Sequence, residues 1–173
     1  MKRALSTRDL GLAVAAGALA LDQFSKLFLL YGVGLVGFRP GERIPLLPFF
    51  NIVMVWNPGI SYGLFPAHGS AQIVLLVVLA VAIVAGLGWW LFHTDSRLTA
   101  VGLGLAIGGA IGNNLIDRPV YGRVADFFHF YVGRFDWYVF NVADAAITFG
   151  MLTLLYEALK LELTELKTRG RTS

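Results

Sequence analysis

Four apolar runs, each long enough to cross a bilayer as a helix, divide the chain at about residues 10–30, 71–92, 98–116 and 139–159. A span needs about 20 largely apolar residues. In hydrocarbon every backbone N–H and C=O must also be satisfied, which restricts spanning structures to helices and closed barrels. The second run, AQIVLLVVLAVAIVAGLGWWLF, contains no charged residue at all. Composition agrees, since only 14% of the 173 residues are charged and the mean hydropathy is +0.68, whereas an average soluble domain is about 25% charged. The fold class expected is therefore an all-α membrane protein of four transmembrane helices, forming a single domain over 1–173. Asp22, Gln23 and Lys26 interrupt the first run and no small-residue cleavage site closes it, so it is expected to be a retained helix and not a cleaved signal.

Lys and Arg fix the expected orientation, because they accumulate on the cytoplasmic side. Lys2, Arg3, Arg8, Arg97, Lys160, Lys167, Arg169 and Arg171 fall on one side, against Arg39, Arg43, Arg118, Arg123 and Arg134 on the other. Both termini are expected in the cytoplasm, with outer segments 31–70 and 117–138. The net charge of +3 belongs to these flanks, so no nucleic-acid partner is expected. No cysteine is present, which excludes disulfides, thiol nucleophiles and thiolate metal sites.

Within the outer segments, FRPGERIPLLPFF (38–50) carries three prolines and is not expected to be helical. NIVMVW (51–56) is β-branched and aromatic and predicts a strand, hence a small β-sheet on the outer face. The segment 57–68, rich in Gly and aromatics, is a candidate lid. In the third run Gly104, Gly108 and Gly112 recur at intervals of four, a small-xxx-small pattern that lets another helix approach closely.

Ionisable residues inside lipid are expensive and tend to serve function. Asp9, Glu42, Asp95, Asp136, Glu157, Glu162 and Glu165 fall in tails, loops or the cytoplasmic end of the fourth run, where solvation is expected. Asp22 precedes Lys26 by four residues, the favourable order for a helical ion pair, so a structural or positioning role is expected. Asp117 is followed by Arg118, and a structural ion pair between them is expected. Asp126 and Asp144 have no basic residue at helical spacing. Both come near the outer interface, where the third run exits and the fourth enters, and Asn141 lies one turn before Asp144. Two carboxylates brought together in a poorly hydrated site share a proton. One can then activate water while the other protonates the leaving group. A proton relay or ion site in a small carrier uses the same residue types, and an assembly factor with merely paired acids is a third reading.

Other chemistries fit less well. GISYG (59–63) matches a nucleophile-elbow pattern around Ser61, but that pattern needs a strand-to-helix turn and a positioned His. His68, His93 and His129 form no HExxH pair, so no metal site is expected. Asp126 and His129 stand three apart, and an interfacial, satisfied His129 is the expected arrangement. Ser25 and Lys26 are adjacent on a helix and diverge, which disfavours a Ser/Lys dyad.

Taken together, LDQFSK (21–26), WNPGISYGLF (56–65), GGAIGNNLIDR (108–118), VADF (124–127) and FNVADAAI (140–147) resemble, in order and over nearly the whole chain, the motifs of the bacterial lipoprotein signal peptidases (signal peptidase II). The resemblance implies an aspartyl endopeptidase with Asp126 and Asp144 as the catalytic pair. It implies cleavage of diacylglyceryl-modified prolipoproteins just before the lipidated cysteine, by a monomer in contact with membrane lipids, in the bacterial inner membrane near the periplasmic face, without cofactor. Asp22, Lys26, Asn57, Gly59, Asp117, Arg118 and Asn141 are implied to position substrate or support the pair.

One departure stands out. The family usually reads G-N-x-x-D-R, whereas this chain reads GNNLIDR, one residue longer between Gly112 and Asp117. An extra residue turns a helix by about 100°. Counting back from Asp126 keeps Asn114 in register and favours it, while counting forward from GGAIG leaves Asn113 open.

Overall fold

The computed structural model describes residues 5–59 and 69–169. Ser61, His68, Lys2, Arg3, Arg171 and nearly all of the candidate lid lie outside them. The described chain runs α1 (Thr7–Leu27, continued by a π-turn Phe28–Gly32), β1 (Arg43–Leu47), β2 (Phe50–Asn57), α2 (Ser70–His93), α3 (Arg97–Ala110), a π-turn (Ile111–Asp117), α4 (Arg118–Tyr121), β3 (Val124–Val132), β4 (Phe135–Asp136) and α5 (Val142–Arg169). Four helical stretches, Thr7–Gly32, Ser70–His93, Arg97–Tyr121 and Val142–Thr168, are long and apolar enough to span a bilayer, matching the four runs. The fourth differs at both ends. Residues 139–141 are not helical, because Phe140 is bridged to Phe128 of β3, and the helix runs on to Arg169 through a polar tail.

Packing follows from residue size. Most of α3 is buried, whereas α2 is exposed on nearly all sides, so α3 is the axis of the bundle and α2 its lipid-facing flank. The glycine stripe makes this possible: a Cβ on Gly104 would meet the carbonyl of Gly11, and one on Gly108 the carbonyl of Ala15. On the opposite side of α3, a Cβ on Gly109 would lie 2.5 Å from the carbonyl oxygen of Ala143 in α5. Two neighbours thus approach α3 at backbone distance. Gly108→Ala would also set its methyl 2.9 Å from the Ala18 Cβ. Overpacking of this kind destabilises by about 1–3 kcal/mol, so its thermal midpoint in detergent is expected to fall, and an unchanged midpoint would contradict this packing.

The strands form one antiparallel sheet in the order β1-β2-β3-β4. Pro45 is tolerated because β1 is an edge strand. Leu35, Ile52 and Phe127 form a small core beneath the sheet, joined by Leu29 from the end of α1. The sequence reading foresaw β2 but not β3, although VADFFHFYV has strand-like β-branched and aromatic content. Gly122, at φ 70°, adopts the left-handed conformation that ends α4 and lets the chain reverse into β3. At the other end of the bundle Glu157 is buried, contrary to expectation. Its Oε1 accepts from the Ser96 hydroxyl at 2.9 Å, placing a carboxylate at the N-terminus of α3, where the helix dipole favours it.

Candidate active site

A buried lysine organises the outer end of the bundle. Lys26 Nζ lies 2.8 Å from Asp22 Oδ2, 2.8 Å from Asp117 Oδ2 and 2.8 Å from Asn113 Oδ1, so all three ammonium protons have acceptors. The expected Asp22–Lys26 pair forms, but Asp117 joins it instead of pairing with Arg118. Adjacent helical residues point in different directions, and Asp117 faces α1 while Arg118 turns away. Gln23, to which the sequence reading gave no role, donates to Asp22 at 3.0 Å and Asp117 at 3.3 Å. Its signal was the polar cluster Asp22, Gln23, Lys26 inside an apolar run. Asp22 Oδ1 further accepts from the Ala143 backbone N–H at 3.0 Å. A side chain of α1 thereby fixes where α5 begins.

The start of α5 places the next pair. Asn141 is its N-cap: Asp144 N donates to Asn141 Oδ1 at 2.9 Å, and Asn141 N donates to Asp144 Oδ2 at 3.2 Å. This reciprocal capping box answers why a helix built for lipid opens on two polar residues three apart. The Asn141 amide also donates to Asp126 Oδ1 at 2.6 Å, Ala125 O at 3.2 Å and Asn113 Oδ1 at 3.1 Å. Asn113 Nδ2 donates to Asp144 Oδ1 at 2.9 Å. Since Asn113 Oδ1 faces Lys26, its NH₂ end is forced toward Asp144. Asp126, on β3, accepts a second bond from Asn57 Nδ2 at 3.1 Å. Asp126 and Asp144 therefore converge from a strand and a helix, linked through Asn141. Burial, followed by the charge of Asp144, pushes the Asp126 carboxyl up to about 8, against the opposing bonds from Asn57 and Asn141. His129 turns elsewhere and pairs with Asp136 at 3.4 Å.

The model of a family described as signal peptidase (SPase) II matches residues 14–160. The chain belongs to the signal peptidase II family. Lipoprotein signal peptidases of Methylorubrum extorquens (strain PA1) and Rhodopseudomonas palustris (strain TIE-1) are 49% and 51% identical, over 87% of this chain in each case and 85% and 92% of theirs. Two bacterial membrane enzyme structures obtained by the in meso method share the fold, with TM-scores of 0.73 and 0.71 at 24% identity. They cover 87% of this chain, and 87% and 92% of their own. Signal peptidase II enzymes are aspartic proteases that remove signal peptides from prolipoproteins.

Against the usual signal peptidase II motif, the extra residue of GNNLIDR is taken up by the π-turn Ile111–Asp117. A π-turn holds one residue more than an α-turn, so the chain on either side keeps its facing. Asn113 then meets Lys26, Asn141 and Asp144, the place for which the sequence count had favoured Asn114. Asn114 Oδ1 instead accepts from Arg118 Nε at 2.9 Å. Arg118 Nη1 donates to Pro58 O at 3.2 Å, and Nη2 donates to Gly59 O. Asn57 Oδ1 accepts from the Gly59 N–H at 3.0 Å, closing an Asx turn.

Among the described residues, Asp144 lines two spaces. One, of about 50 Å³, is lined by Asn57, Asn113, Asn114, Arg118, Val124, Asp144 and Ile147, polar enough and large enough for an ordered water. The other is an apolar groove of about 400 Å³ between Trp137, Tyr138 and Phe140 on one wall and Ile147, Thr148 and Phe149 on the other.

Proposed function

We propose that this chain is a lipoprotein signal peptidase, an intramembrane aspartyl endopeptidase that removes signal peptides from diacylglyceryl-modified prolipoproteins by cutting just before the lipidated cysteine. The observation that carries the reading is the convergence of Asp126 and Asp144 through Asn141, beside a cavity fit for water. Asp144 borders that cavity and acts as base, taking a proton as the water oxygen attacks the scissile carbonyl carbon. Asp126, with its raised pKa, carries the proton that passes to the departing amide nitrogen as the C–N bond breaks. Asp144 then returns its proton to Asp126, leaving one carboxyl product and one amine product. Asn57, Asn113 and Asn141 orient the two acids, and Asp22, Lys26 and Asp117 support them. The groove beside Trp137 offers an apolar path from the lipid to Asp144.

The whole chain works as one domain and as a monomer in the bacterial inner membrane. Both termini lie in the cytoplasm and the site lies near the periplasmic face, an orientation supported by the Lys and Arg distribution. Gathering of the acids into one cluster favours chemistry over a carrier, which would spread them along a path. The test is incubation of the purified protein with a prolipoprotein before and after diacylglyceryl transfer. Cleavage of the lipidated form alone supports the proposal, and equal cleavage of both overturns its substrate assignment.

The proton on Asp126 sets the alkaline limit. Below a pH of about 8 Asp126 is mainly protonated and competent as acid, and above it the proton is lost. The expected pH profile of kcat/KM therefore falls as pH rises through about 8. Activity sustained to pH 10 would contradict Asp126 as the acid.

A further inference from the structure

The π-turn gives this chain two asparagines where the family pattern has one, and their side chains face different neighbours. Asn113 meets Asp144. Asn114 Oδ1 takes the Arg118 Nε proton at 2.9 Å, which aims the other two guanidinium nitrogens at the carbonyls of Pro58 and Gly59. Arg118 is buried, so a lost acceptor would not be replaced freely by bulk water. The turn it grips is the one in which Asn57 accepts from the Gly59 N–H and donates to Asp126 Oδ2. Asn57, Asn114, Arg118 and Asp144 also share the cavity of about 50 Å³.

We infer that Asn114 is a positioning residue, which acts through Arg118 to hold the Asn57–Pro58–Gly59 turn against the Asp126 side of the site. Its side chain bonds the Arg118 guanidinium and the Ala110 carbonyl. Its role differs from that of Asn113, and it depends on the inserted residue. The inference rests on the peptidase reading for its kinetic consequence but not for its structural one.

Two readouts test it. In the protein without substrate, Asn114→Leu keeps side-chain volume but removes the acceptor, and amide hydrogen exchange at Gly59 is expected to speed up. Asn114→Asp, which keeps the acceptor, is expected to restore slow exchange. With lipidated prolipoprotein, Asn114→Leu is expected to raise KM about tenfold, in line with loss of one hydrogen bond to a charged group, and to change KM more than kcat. Asn114→Asp is expected to reverse most of that rise. Asn114→Ala repeats the comparison if the Leu variant has a lowered thermal midpoint. Unaltered Gly59 exchange in a folded Leu or Ala variant overturns the inference, as does failure of the Asp variant to restore it. Failure of the wild type to cleave would instead strike the peptidase reading, because the exchange experiment needs no turnover.

Discussion

Asp144→Asn and Asp126→Asn are each expected to lower kcat by about 10²–10⁴-fold, the usual worth of a positioned general acid or base, while the protein still inserts and folds. The substitution is nearly isosteric. At position 144 an amide oxygen can still accept from Asn113, and weakening of the capping box costs about 1 kcal/mol of helix stability. At position 126 the donors Asn57 and Asn141 can still meet an oxygen, one of them imperfectly. What each variant lacks is the ability to take up and release a proton. Product mobility on gels, with circular dichroism and a thermal midpoint as folding controls, checks the outcome. Near-normal cleavage by either folded variant would sink the dyad.

Lys26→Met is expected to act on stability first. Its ammonium lies among Asp22, Asp117 and Asn113, and the three charged side chains are almost wholly buried. Removing one member of a buried ionic cluster leaves uncompensated charge and typically costs about 3–5 kcal/mol. Activity should fall as well, because Asn113 loses the partner that turns its NH₂ end toward Asp144. The expected result is a markedly lower unfolding midpoint, partly recovered by adding Asp117→Asn. A wild-type midpoint for Lys26→Met would show that the cluster is not held by its cation. Asp22→Asn is the milder case: it retains an oxygen for Ala143 N–H, and reduced activity or stability is expected without chemical loss.

Much of this architecture was legible in the sequence because lipid is a demanding solvent. Four runs of sufficient length, a small-residue stripe and a few acids in apolar surroundings leave few arrangements open. The Asp22–Lys26 pair was readable from its spacing, and Asn141 and Asp144 were readable as polar residues out of place in an apolar run, but not as the opening of the helix, which was expected at 139 and begins at Val142. Long-range partners were less so. Nothing local says that Asp117 looks across to Lys26 while Arg118 faces the Pro58–Gly59 carbonyls, since adjacent residues on a helix diverge and only packing decides what each meets. The π-turn was hidden for the same reason. One inserted residue can rotate a helix or bulge it, and contacts on both sides of Ile111–Asp117 hold the bulge here. Glu157 was misread as solvated because its partner, Ser96, is far away in sequence. β3 carried strand-forming residues but stood between two spans, where an irregular loop was the easier reading.

The most direct test of the account is cleavage of a diacylglyceryl-modified prolipoprotein by the purified wild-type protein in detergent, with chelator present, followed by the masses of both products. The expected result is undiminished cleavage of the one bond before the lipidated cysteine, with no mass increase on the enzyme. No product from verified folded protein would contradict the account and shift attention to proton movement through the same acids. Product that disappears with chelator would contradict hydrolysis by two carboxylates alone.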